Sequence, residues 1–351
     1  MINFIWSPGT RLPAGTGGTE NYTIGQVREL ISRGVAARIV TTGLGTQDGR
    51  EEFVDIPFKA LQTEADITTL EGIVIFVNDE TGATKTKNPA FAIMHIPPPL
   101  REAARPAMLK ALEGRTLITP SRYAAQLWAD YIPRPRAEVH VVYPFAEPCF
   151  AVQTREYNNT AAVRILFAGR LSAQKGVYTL LEALHRDVLY SNSNLAFTVT
   201  TAGADKPEGK LIKLLLDAHP NITVITARKT PAAMAELMAV QDIVVMPSNS
   251  QYWHETFGIV SIEAQHSGCR VVASNDGGLP ETDCGGVILV KPDDSEALAQ
   301  GIALAISKGP LPEAIRRAVG TLYTVEQSVD NLLQVLYPTE KLVARPNEKI
   351  Q

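Results

Sequence analysis

Short apolar runs recur along this chain, separated by longer stretches of helical periodicity. That alternation limits the fold more than any other feature. The first series reads INFIW (2–6), ARIVTT (37–42), GIVIFVN (72–78), AFAIMH (90–95), TLITPS (116–121) and VHVVYP (139–144). The second reads VRILFAG (163–169), LAFTVTTAG (195–203), ITVITA (222–227), DIVVMPS (242–248), RVVAS (270–274) and GVILVKP (286–292). Continuous β-rich runs of this kind belong in parallel strands buried on both faces, with the intervening helices as covering layers. Two series predict an α/β protein of two doubly wound, Rossmann-like domains with right-handed crossovers, and 351 residues is an ordinary length for two domains.

The break between the series lies at 146–162, which has no periodicity and carries Pro148 and an Asn158-Asn159-Thr160 turn signal. The reading is therefore a first domain over 1–145, a linker over 146–162 and a second domain over 163–324. A last periodic helix, Val325–Leu336, stops before Pro338. The tail 325–351 is expected to pack back toward the first domain. A formal net charge of −4 gives no global basicity and argues against nucleic acid as a partner. Cys149, Cys269 and Cys284 form neither a close pair nor a metal-ligand spacing, which fits a reducing cytoplasm. No apolar run approaches the ~20 residues of a membrane span. Locally the balance differs: between Arg101 and Arg136 stand seven Lys or Arg against three acids. That segment is either a solvated face or a contact for an anionic membrane surface or phosphorylated acceptor.

Open α/β sheets bind ligands beyond the carboxyl ends of their strands, so chemistry is sought there. After the first strand comes SPGTRLPAGTGGTENYTIGQ, where Gly15, Gly17 and Gly18 let the backbone approach a bound group. A dinucleotide site would want an acid ending the second strand, and Thr41-Thr42-Gly43 supplies none. His95 closes the fourth run and precedes a stiff Ile-Pro-Pro-Pro turn. Ser121 reads as a helix N-cap. Arg170 and Lys175 follow the strand ILFAG and precede a helix opened by Gly176; two cations in that setting suit a diphosphate.

The densest stretch is His254–Ser274, HETFGIVSIEAQHSGCRVVAS. Glu255 lies on the loop before a helix that starts after Gly258 and ends at Gly268, and Glu263 lies on the helix itself. Free amides at that helix tip, near Phe257, Gly258, Ile259 and Val260, form a ready anion site. The carboxylates are left to accept hydrogen bonds from sugar hydroxyls, which points to a nucleotide-sugar pocket.

Glu255-Thr-Phe-Gly-Ile-Val-Ser-Ile-Glu263 resembles the Glu-x7-Glu motif of retaining family 4 glycosyltransferases, which have the GT-B fold of two Rossmann-like domains facing across a cleft. Gly169-Arg170-Leu-x3-Lys175-Gly176 resembles the family's Gly-Arg-Leu-x3-Lys-Gly signature, and Gly277-Gly278-Leu279-Pro280-Glu281 its Gly-Gly-x-Pro-Glu loop. The likeness is specific over the second domain and one of layout over the first. It implies a donor site of Gly17 and Gly18 over the diphosphate and His95 near the transferred sugar. Arg170 and Lys175 would meet the leaving diphosphate, Gly203 would form a strand-end turn, and the backbone at Arg228 would hold the base. Glu255 would hold the sugar and Glu263 the ribose. It implies a metal-independent hexosyltransferase without cofactor, acting from a nucleotide diphosphate sugar such as UDP-glucose on a glycan or lipid-linked acceptor. Bacterial envelope or exopolysaccharide assembly, in the cytoplasm or at the inner face of the membrane, is the setting that follows. A non-catalytic nucleotide-sugar sensor, or a phosphorylase or epimerase on the same fold, are the other readings.

Overall fold

The computed structural model describes residues 1–6, 17–42, 54–78, 86, 89–133, 139–152 and 162–338. Gly15, Arg134, Arg136, most of the linker and the end of the tail lie outside the described residues.

Two parallel sheets organise the chain. The first has seven strands in the order β3-β2-β1-β4-β5-β6-β7. They are β1 (Ile2–Ile5), β2 (Ala37–Thr42), β3 (Phe58–Leu61), β4 (Ile73–Val77), β5 (Ala90–Ile93), β6 (Arg115–Thr119) and β7 (Val139–Val141). The second has six strands in the order β10-β9-β8-β11-β12-β13. These are β8 (Val163–Phe167), β9 (Leu195–Thr200), β10 (Ile222–Ile225), β11 (Ile243–Met246), β12 (Arg270–Ser274) and β13 (Val287–Val290). Central strands such as β1 and β4 are buried along their whole length, as their unbroken apolar runs require. β3 was not anticipated. Its sequence, FKAL, is short and carries a lysine because it is an edge strand, only partly buried.

The helices covering the first sheet are α1 (Gly18–Ser32), α2 (Arg105–Leu112) and α3 (Arg122–Tyr131). A single turn, α4 (Cys149–Val152), sits at the junction. The second domain carries α5 (Val177–Ala183), α6 (Asp187–Tyr190), α7 (Pro207–Asp217), α8 (Pro231–Ala239), α9 (Ile259–His266), α10 (Ser295–Lys308) and α11 (Glu313–Val319), and α12 (Val325–Leu336) closes the described chain. Helix α9 ends where a glycine stop was expected. Gly268 has φ 80°, and the amides of Gly268 and Cys269 bond back to Gln265 O and Ala264 O at 2.9 Å each.

The chain crosses between the domains twice. Outward, Phe145 is buried in the first core while Ala146 and Phe150 are buried in the second, so the chain passes from one core to the other between residues 145 and 146. Back again, Tyr323 packs in the second domain and Val325 enters the first. Helix α12 buries Val325, Val329, Leu332 and Leu336 in the first core, a stripe at helical spacing. Each such side chain is worth about 1.5–3 kcal/mol over exposure. Gln26 of α1 donates to Ser328 Oγ at 3.1 Å, and Ser328 Oγ donates to Tyr143 O at 2.8 Å.

Candidate active site

Two helix tips meet between the sheets. Gly17 is the N-cap of α1 and Gly18 its first residue. Gly258, at φ 102°, is the N-cap of α9. A Cβ on Gly18 would stand 3.3 Å from Ile259 Cγ2, so the tips approach closely because the side chain is missing. Unsatisfied amides from both helices can therefore address one anion. Behind Gly18, Glu20 folds over the tip of α1. Burial raises its pKa, while a backbone bond and the charge of Arg170 work the other way.

Glu255 is buried, and its Oε1 accepts from Lys175 Nζ and, at 2.8 Å, from Ser248 Oγ. Lys175 reaches it from a short turn ended by Gly176, whose φ of 71° needs a glycine. A Cβ at Gly176 would also lie 1.7 Å from Pro247 O. The Gly277-Gly278 pair backs the same loop. A Cβ there would meet Glu255 O at 2.4 Å or Thr256 O at 2.3 Å, and Gly278 N donates to Glu255 O at 2.7 Å. Glu255 therefore sits in a rigid setting, with Lys175 positioned to answer an anion beside it.

Arg170 is exposed beyond β8, next to Gly203, whose φ is 77°. Both line a cavity of about 590 Å³ with Ser172, Gln174, Lys206 and Tyr252. Arg228 is exposed on the turn after β10 and is not among the lining residues. His95 follows β5 and sets its ring edge-on to Tyr22 of α1, centroids 4.6 Å apart. Its Nε2 is buried without a partner among the described residues, and burial depresses its pKa to about 3, so the ring is neutral.

Not every residue singled out from the sequence meets the Glu255 cluster. Glu263 is buried one turn along α9, where burial and then the charge of Glu147 push its pKa up to about 8. The two glutamates thus have different neighbours, a lysine for one and a second carboxyl for the other. The Phe257 ring turns away from the cleft, packing on Tyr143 and Tyr323 at 5.8 and 5.5 Å between centroids, so only its backbone is free for a ligand. Two members of the basic stretch have partners inside the protein. Arg115 is buried with its guanidinium 3.5 Å over the Phe76 ring, and Arg122 pairs with Glu281. Ser248, Glu20, Thr256 and Glu147 were missed. Ser248 and Glu20 had a signal, as a strand-end serine and the acid just past Gly17-Gly18.

The glycosyl transferases group 1 family model matches residues 154–319, which hold Arg170, Lys175, Glu255 and Glu263. Over those residues the chain belongs to the group 1 glycosyltransferases, and its fold is GT-B. A solved glycosyltransferase from Rickettsia africae superimposes with a TM-score of 0.75 at 19% identity, covering 96% of this chain and 98% of that one. Anabaena HepE in complex with UDP-glucose gives 0.73 at 16% identity, covering 96% and 100%. In sequence, the lipopolysaccharide 1,2-N-acetylglucosaminetransferase of Salmonella typhimurium is 25% identical over 76% of this chain and 72% of its own length. A D-inositol 3-phosphate glycosyltransferase of Catenulispora acidiphila is 30% identical over 68% of this chain and 60% of its own. This glycosyltransferase has no helix, among its described residues, long and apolar enough to cross a membrane.

Proposed function

We propose that this glycosyltransferase moves a hexose, with retention, from a nucleotide diphosphate sugar of the UDP-glucose kind to a glycan or lipid-linked acceptor. Bacterial envelope or exopolysaccharide assembly is the setting we assign. The observation that most supports the reading is the Lys175–Glu255–Ser248 cluster beside the facing tips of α1 and α9. A sugar diphosphate has the matching parts, an anion for the amides and cations and hydroxyl donors for the carboxylate. In this reading Arg170 and Lys175 neutralise charge on the leaving diphosphate, and Glu255 fixes the sugar hydroxyls beside the reacting carbon. Glu263 serves the ribose and backbone at Arg228 the base. The bond from the anomeric carbon to phosphate oxygen breaks, and the acceptor oxygen bonds that carbon on the same face. Its proton leaves on the departing phosphate, so no protein nucleophile, metal or cofactor takes part. His95, neutral and half-buried, offers a hydrogen bond to the sugar.

Calorimetry on Lys175→Ala tests this. The lost charge-assisted contact should cost about 1.5–3 kcal/mol in UDP and UDP-glucose binding while leaving uridine nearly untouched. Equal losses for uridine and UDP would refute the assignment, and a parent chain binding none of the three would refute the function.

A further inference from the structure

The residue between the proposed sugar carboxylate and the Phe-Gly turn is held by the opposite domain. Thr256 Oγ1 donates to His95 O at 2.7 Å, and Ser121 Oγ donates to Thr256 O at 2.5 Å. Both partners belong to the first domain, so one second-domain residue is clamped from two sides by first-domain loops. Ser121 has no freedom to do otherwise. It is fully buried, and its oxygen also caps α3 by accepting from Ala124 N at 2.9 Å. The two clamping loops are tied together as well, since Trp128 of α3 donates from Nε1 to Ile96 O at 3.0 Å. Beneath Thr256, the Gly277-Gly278 backbone fills the remaining space, with Gly278 N bonded to Glu255 O.

We propose that Thr256 and Ser121 are positioning residues through which the seating of the first domain sets the place of Glu255. This rests on the assignment of Glu255 to the donor sugar. A carboxylate on a loop is placed no better than its backbone, and small misplacements at a reacting centre are costly in rate. Here the backbone one residue away is fixed by two bonds that exist only while the domains are in register. The first domain thereby contributes to donor chemistry without touching the donor at this point. Arg170 and Lys175, by contrast, meet the diphosphate from the loop after β8, which Thr256 does not hold.

The test is Thr256→Val, which keeps shape and removes the donated bond, with Thr256→Ser as the conservative control. UDP-glucose is the probe, with water as acceptor and UDP release as the readout, so no acceptor need be known. Thr256→Val should lower kcat about ten-fold while KM for UDP-glucose and the UDP dissociation constant stay within about two-fold, because uniform binding is untouched. Thr256→Ser should recover most of the rate. Ser121→Ala reaches the same clamp from the other domain and should show the same split, which covers a Thr256 variant that fails to fold. An unchanged kcat in Thr256→Val, or a fall in kcat and UDP affinity together that serine does not rescue, overturns the proposal alone. A parent chain that neither binds UDP nor turns over UDP-glucose removes the functional reading and this inference with it.

Discussion

At the scale of single residues, the two glutamates of the Glu-x7-Glu stretch have opposite relations to charge. Glu255 rests on a lysine, whereas Glu263 faces Glu147 in a buried site. Its pKa rises from an ordinary 4.5 to about 8, so between those values the folded chain holds a proton the unfolded chain has lost. Glu263 therefore subtracts stability as pH rises through that window. Glu263→Gln cannot titrate, and it should match the parent at pH 5 and exceed it at pH 8 by at least ~1 kcal/mol, or roughly 2 °C in Tm. Parallel pH profiles for variant and parent would refute this. Sequence spacing marked both glutamates but not their neighbours. Glu147 is brought to Glu263 by the path of the linker, and Ser248 to Glu255 by the folding of the loop between β11 and α9, and neither approach is written in local periodicity.

At the scale of elements, the strands were legible because burial on both faces leaves unbroken apolar runs. β3 escaped because an edge strand has no such need. Helix α3 shows a limit of another kind. Its N-cap, Ser121, was visible in the sequence, yet two of its other free amides are satisfied from outside the domain. Arg122 N and Tyr123 N donate to the Glu281 carboxylate at 2.9 and 2.8 Å. Tyr143 OH donates to the same carboxylate at 2.8 Å. Negative charge at a helix N-terminus is favourable in itself, and a lost cap costs about 1–2 kcal/mol. Glu281→Ala should therefore lower stability by at least that amount in urea titration, and Glu281→Gln by less, since an amide oxygen still accepts. Equal stability of all three chains would show that the cap contributes nothing.

At the scale of the molecule, the first core is not closed by the first half of the chain. It takes four apolar side chains from α12, which arrives after the entire second domain. Ending the chain at Thr324 should leave the second domain folded and expose the face of α1 that α12 covers. The expected result is rapid proteolysis within residues 1–145 alongside a protected second-domain fragment. Undiminished resistance in the first domain would contradict it. The Val325–Leu336 periodicity was readable as a helix, but the surface it covers depends on where the chain returns, which only the two-domain arrangement decides.

The same return path bears on how such enzymes can be recombined. The first domain is an attractive part to exchange between relatives, yet here it is inherited in two pieces on either side of the second domain. A single splice near residue 145 would join one parent's α1 to another parent's α12, pairing Gln26 and Arg33 with strangers in place of Ser328 and Asp330. Functional chimeras of this chain should need two breakpoints, one on each crossing. Successful one-point hybrids should be confined to parents whose first and last helices already agree.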